Sequence, residues 1–177
     1  MDSFQHVNNT NYIRYAESSR VNWITHFACA DPTHGAEWRD LMRPRTTGLI
    51  MKSIKADYKF PIIYPDTISV YHKLRSLPSA TDTSLILDCV ILSHKHRRVA
   101  ARTEEDIVIY DYKAGKKTTV PPFVLDVFRD TWRQQEEATS KARDRIWGLL
   151  GEVEALEKET WDCEGAVEDL GATGGKS

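Results

Sequence analysis

Between residues 46 and 112, four stretches rich in alternating or β-branched apolar residues follow one another with only short connections. Residues 46–60 (TTGLIMKSIKADYKF) place Ile50, Lys52, Ile54, Ala56 and Tyr58 on one phase, and Pro61 and Pro65-Asp66 then mark a turn. Residues 67–75 alternate again, with Ile68, Val70 and His72 on one phase. Residues 84–94 (SLILDCVILSH) are an apolar run, and residues 97–112 end on Ile107, Val108, Ile109 and Tyr110. Short connections favour antiparallel pairing, because parallel strands need a crossover. A sheet with one apolar face must bury it, and one early element is available to do so. Residues 10–28 repeat Tyr12, Ala16, Ser19, Trp23 and Phe27 at spacings of three and four, which predicts a helix. Asn8 or Asn9 can cap its start, the small Ala16 and Ser19 allow close approach to a sheet, and Asp31-Pro32 and His34-Gly35 break it. The expected fold is α+β, a curved antiparallel sheet around a central helix.

Pro121-Pro122 closes the sheet block, and Gly115 marks a turn just before it. Residues 123–161 read as helical, in two pieces. Val124, Val127, Phe128 and Trp132 begin this segment, its middle (RQQEEATSKARDR) is polar, and Ile146, Leu149, Leu150, Val153 and Leu156 restore an apolar stripe. That stripe suits either docking on its own domain or a short coiled-coil seam. The expected organisation is a sheet-and-helix domain at 1–122, a C-terminal helical extension at 123–162 and a disordered, small-residue tail at 163–177.

A chain of 177 residues suffices for one domain with a sizeable core, and a net charge of -2 gives no electrostatic basis for a nucleic-acid partner. Cys29, Cys89 and Cys163 are odd in number, far apart and without metal-binding spacing. They argue for a reducing, intracellular compartment, cytoplasmic or mitochondrial, with Cys89 a small core residue. No apolar run approaches the roughly 20 residues needed to span a bilayer. The first residues have neither the basic and apolar regions of a signal peptide nor an Arg-rich transit character. His26, His34 and His72 lack ligand spacing, so no metal and no cofactor are expected.

The stretch Asp2-Ser3-Phe4-Gln5-His6-Val7-Asn8-Asn9-Thr10-Asn11-Tyr12 puts a carboxylate, an imidazole and several amides just before a helix. The start of a helix presents free N–H groups and a positive field. A carbonyl held there would be polarised, and the oxyanion formed on attack would be stabilised. Asp2 can act as general base toward water or as nucleophile, and His6 or Asn9 can orient the reactants. Equally, Asp2, Asn8 and Asn9 suit turn and capping roles, with His6 structural. Tyr58, Phe60 and Tyr64 suit either core or the lining of an apolar ligand tunnel. The clusters His94, His96, Arg97, Arg98 and Lys113, Lys116, Lys117 suit solvated turns, a subsite for phosphates or the docking of an acidic protein face.

DSFQHVNNTNYIRYAESSR resembles the signature of the hotdog acyl thioesterases, the 4-hydroxybenzoyl-CoA thioesterase-like and acyl-ACP thioesterase-like group, in its HVNN, its tyrosines, its glutamate and its arginine. KSIKADYKFPIIYPDTISV and the strand ending near Val120-Pro121 are similar too, so the resemblance spans residues 1–122. It implies a hotdog fold, and catalytic roles for Asp2, His6, Asn9, Tyr12 and Glu17. It also implies hydrolysis of an acyl-CoA or acyl-carrier-protein thioester, and a homodimer or tetramer. Family members carry a strand ahead of the aspartate, which here is the second residue, so the sheet is expected without that strand. Phe4 stands where the plant-type pattern has an asparagine, which leaves Asp2 as the main carboxylate. Three other readings stay open: a catalytically inactive hotdog module that binds acyl thioesters or protein, a hydroxyacyl thioester dehydratase, and a structural module built on the 123–161 helix.

Overall fold

The computed structural model describes residues 6–162 and 165. Helix α1 spans Asn9–Ala30, a 3-10 turn follows at Pro32–His34 and a short α2 at Gly35–Asp40. Strands β1 (Thr47–Tyr58), β2 (Ile68–Leu74), β3 (Ser84–Ser93), β4 (Arg98–Asp111) and β5 (Lys116–Lys117) come next, then α3 (Pro122–Thr160). No described helix is long and apolar enough to cross a membrane.

The strands form one antiparallel sheet in the order β1-β4-β3-β2, with β5 paired to β4. Together with α1 on its apolar face, this is the α+β hotdog arrangement: a curved sheet, open rather than closed into a barrel. β3 shows why one face is covered. Its burial alternates residue by residue, with Leu85, Leu87, Cys89, Ile91 and Ser93 turned inward. The register sets His72 opposite Cys89, and Cys89 opposite Thr103, so these three face the helix together.

α1 begins where the sequence allows. The Asn8 side chain accepts the Thr10 N–H at 2.8 Å, and Asp31 ends the helix by donating its N–H to Phe27 at 2.8 Å. The Asp31 carboxylate then accepts from His34 Nδ1 at 2.9 Å and from Trp38 Nε1 at 3.1 Å, which folds α2 back so that Trp38 is fully buried. The sequence reading placed only a break here. The helical turn forms because Trp38 and Leu41, three apart, both reach the core.

The core falls into two apolar clusters. One joins the second half of α1 (Ile24, Phe27) to Trp38, to the sheet (Leu87, Ile109) and to Phe128. The other joins Tyr12 and Ala16, at the start of α1, to Ile62, Cys89, Ile91 and Ala101.

The chain divides into two compact units, Met1–Arg133 and Gln134–Ser177. α3 begins in the first, where Val124, Leu125 and Phe128 are buried. It is one helix of 39 residues, not the two pieces that its polar middle suggested. That middle is rich in good helix formers and contains no proline. Pairs one turn apart, such as Arg129–Asp126 and Arg133–Asp130, support the exposed helix.

Gly48, in β1, is required by space. A Cβ there would lie 2.7 Å from the Tyr112 ring and within 3.3 Å of the Arg43 and Leu41 carbonyl oxygens. Gly48→Ala is expected to cost about 1–3 kcal/mol of stability, read as a lower midpoint in thermal or urea unfolding. An unchanged midpoint would show that this end of β1 is not closely packed.

Candidate active site

The start of α1 is pinned to the segment after β1. The Val7 N–H donates to the Ile62 carbonyl at 2.8 Å. Tyr12 is buried, and its hydroxyl accepts the Ile62 N–H at 2.9 Å while donating to the Phe60 carbonyl at 3.4 Å. Tyr58 donates to the Asn9 carbonyl at 3.2 Å and meets Tyr12 edge-to-face with ring centres 5.4 Å apart. These contacts fix one short stretch of loop over the first turn of the helix.

The sequence-predicted site residues separate on this frame. Asp2 lies outside the described residues. His6 is half-buried and turns Nδ1 to the Val7 carbonyl at 3.2 Å, while Asn9 exposes its side chain at the first position of the helix. Tyr12 stands with them but spends its hydroxyl on backbone. Glu17 is exposed. Five residues beyond Tyr12, it lies about 140° around the helix from it, so within one chain the two do not share a face.

Helix-start donors are fewer than the sequence suggested. Asn8 takes both the Thr10 N–H, through its side chain, and the Asn11 N–H, through its carbonyl. Among the described residues, the Asn8 and Asn9 N–H groups have no partner and remain as donors for a carbonyl oxygen. Next to this position the β3–β4 turn brings its basic residues to Phe60. The Arg98 guanidinium sits 4.6 Å from the Phe60 ring centre, and the His96 ring lies 4.6 Å from it. This basic cluster thus packs on Phe60, whose carbonyl accepts from Tyr12 of α1.

A second polar group lies deeper, between α1 and the sheet. Arg20 on α1 donates to Glu105 on β4 at 2.7 Å, and the Glu105 side chain is fully buried. Glu105 also accepts from Thr103 at 3.0 Å and faces His72 Nε2 at 3.4 Å. Ser19 links to His72 Nδ1 and to the Val70 carbonyl, each at 3.1 Å. Burial alone would raise the Glu105 pKa, but the hydrogen bonds and charges of His72 and Arg20 outweigh it and hold the carboxyl below its ordinary range.

The sequence reading missed Glu105, although the signal was there. Thr103, Glu105, Ile107 and Ile109 share one phase of β4, so the carboxylate falls in an inward-facing series and requires a partner. His72, grouped with scattered histidines, shares the inward phase of β2 with Val70 and Leu74.

The model of the thioesterase-like superfamily matches residues 1–128. The chain belongs to the thioesterase-like superfamily. Solved structures agree on its fold. A Thermus thermophilus thioesterase solved with coenzyme A and Zn is 18% identical, with a TM-score of 0.56, over 74% of this chain and 85% of that one. A probable thioesterase from Escherichia coli is 22% identical, with a TM-score of 0.56, over 76% of this chain and 89% of that one. A putative thioesterase from Pseudomonas aeruginosa is 23% identical, with a TM-score of 0.54, over 72% and 88%. No curated protein matches this sequence.

Within this superfamily member, His72, Cys89 and Glu105 bring a nitrogen, a sulfur and an oxygen within 4.8 Å of one another. The set suits a metal poorly. Arg20 already occupies one Glu105 oxygen and places a positive charge beside the position a cation would take. Burial pushes the Cys89 thiol up to about 12, so ligation through its sulfur would first have to displace a firmly held proton. The arrangement fits an ion-pair lock between helix and sheet.

Removing one partner of a buried pair strands the other charge. Glu105→Gln is therefore expected to cost about 3–5 kcal/mol, measured by urea unfolding at pH 7. Because the folded pKa of Glu105 is depressed, its contribution is present above the ordinary carboxyl value of 4.5 and is lost as pH falls through the folded value. Glu105→Gln should accordingly flatten the loss of stability below about pH 4.5. A variant as stable as the parent, with the same acid slope, would show that the pair does not hold the fold.

Proposed function

We propose that the chain hydrolyses acyl thioesters of coenzyme A or an acyl carrier protein to a free acid and a thiol. Superfamily membership supports a thioester hydrolase. The observation that carries the reading is the pinned start of α1. There, among the described residues, the Asn8 and Asn9 N–H groups have no partner, and in sequence they follow His6 and the segment that holds Asp2. The carbonyl oxygen would accept from these N–H groups, which stabilise the oxyanion as water adds. Asp2 takes the proton of that water, or attacks the carbonyl itself to give an anhydride that water then opens. The thiolate leaves as the carbonyl reforms and takes up a proton. Asn9 and His6 orient the thioester and the water.

Tyr12 acts by holding the 60–62 segment in place. Glu17, on the solvent side of α1, would enter the network from a second copy, in keeping with a homodimer or tetramer. Arg98 and His96 suit the phosphates of coenzyme A or of a carrier-protein prosthetic group. The free Cys29 and Cys89 suit a reducing intracellular compartment and a place in acyl metabolism.

One observation favours the inactive, binding-only module: Tyr12 already spends its hydroxyl proton on the Phe60 carbonyl, and Glu17 does not share its face of α1. Assay of thiol release and of enoyl product on a short panel of acyl-CoAs and hydroxyacyl-CoAs separates hydrolysis, dehydration and mere binding. Thiol release is expected, and Asp2→Asn should lower kcat by about 100-fold or more with the circular dichroism spectrum unchanged. A folded protein that binds acyl-CoA without releasing thiol would leave the binding module in its place. Arg98→Ala is expected to raise KM for acyl-CoA about tenfold, the loss of one charge-assisted contact, and to leave kcat little changed. An unaltered KM would remove the β3–β4 turn from the site.

A further inference from the structure

The distal part of α3 presents an apolar seam. Every residue from 136 to 162 is exposed. Ile146, Leu149, Val153 and Leu156, alternately three and four apart, are between 49% and 60% exposed. This spacing is the a/d repeat of a two-stranded coiled coil, with Ala142 and Thr160 at its ends. Gly148 and Gly151 fall outside the seam, and a Cβ on either would meet nothing within 4 Å. Each glycine costs an isolated helix about 1 kcal/mol, so this stretch is poorly supported by its own propensity and gains from a partner.

Charge decides which partner and in what direction. Arg143 and Arg145 flank the first half of the seam, and Glu152, Glu157 and Glu159 flank the second. Place two copies antiparallel, so that Ile146 meets Leu156 and Leu149 meets Val153 of the other helix. Arg143 then faces Glu157, Arg145 faces Glu159, and both pairs occur twice by symmetry. Leu150 meets its own copy at the centre, and one Glu152–Glu152 contact opposes the rest. Place the copies parallel instead, and the flanking contacts become Glu152 against Glu157, twice, with Arg145 against Leu150. Parallel pairing has repulsion without compensation.

We propose that residues 142–160 of α3 pair antiparallel with the same residues of a second copy of this chain. The interface is self-complementary, as a two-fold axis requires. It is independent of any contact between the sheet domains and of the thioesterase reading.

The test uses the full chain with Cys29→Ser and Cys163→Ser, carrying either Ala142→Cys or Thr160→Cys. Antiparallel pairing sets position 142 beside position 160 of the partner, and holds the two 142 positions about 27 Å apart at 1.5 Å per residue. A mixture of the two variants should form a covalent dimer under mild oxidation at least tenfold faster than either variant alone. Adding Glu157→Arg and Glu159→Arg to both should slow that reaction about tenfold, and adding Arg143→Glu and Arg145→Glu as well should restore it. The faster reaction of Ala142→Cys with itself would establish parallel pairing and overturn the proposal. So would Glu157→Arg and Glu159→Arg accelerating the reaction. Equal, slow reaction of all three samples would leave the seam to a helix of a different protein, and would overturn it too.

Discussion

The contact between Arg20 and Glu105 constrains everything around it. A carboxylate with no exposed side-chain surface is expensive unless a charge and hydrogen bonds reach it, and here Arg20, Thr103 and His72 all do. Two of these partners are on the sheet and one is on α1, so the carboxylate is satisfied only when the helix lies at one height and one rotation over β3 and β4. Apolar packing would tolerate a slide of α1 along the sheet. An ion pair 2.7 Å long does not. The pair contributes less by net energy, which desolvation largely offsets, than by making alternative placements of α1 costly.

This polar group also explains why the core is split. On one side, large side chains meet: Trp38, Phe27 and Phe128 lie tilted against one another, with ring centres 5.0 to 6.1 Å apart. On the other, toward the helix start, α1 contributes Ala16 and the sheet Ala100 and Ala101, so helix and sheet approach closely around Tyr12. Ser19, His72, Glu105 and Arg20 separate the two. The bulky cluster supplies most of the apolar burial. The small-residue cluster positions the end of the helix where chemistry is proposed.

The sheet was legible in the sequence because its signal is periodic and local. The four long strands begin and end within two residues of the apolar stretches that predict them, since alternation and bounding prolines act over the same short range as the strands. α2 was not legible, because it forms only when Asp31 gathers His34 and Trp38, a contact that propensity does not encode. Of the candidate site, the position at the start of α1 was legible from its polar residues and cap. The work of each residue was not. Tyr12 and Arg20 belong to the signature by spacing, yet one bonds the backbone at 60 and 62 and the other a carboxylate 85 residues away, and long-range partners of that kind leave no local trace. Glu105 was readable only by asking what an inward-facing carboxylate must be bonded to.

Tethers along α1 divide the labour between fold and site. Asn8 closes the first turn, Tyr12 pins the second, Ser19 and Arg20 fix the middle, and Asp31 ends the helix. A helix so held transmits little displacement, and donors at its start keep their place relative to β4 and to the 60–62 segment. Oxyanion stabilisation needs this, because misplacement of a donor by about 1 Å costs orders of magnitude in rate. In the proposed reaction Tyr12 and Arg20 would therefore act through the rigidity of the element that presents the Asn8 and Asn9 N–H groups. In this chain loops and strand faces can change without touching these tethers, whereas a change to the Arg20–Glu105 lock would move the start of α1 with it.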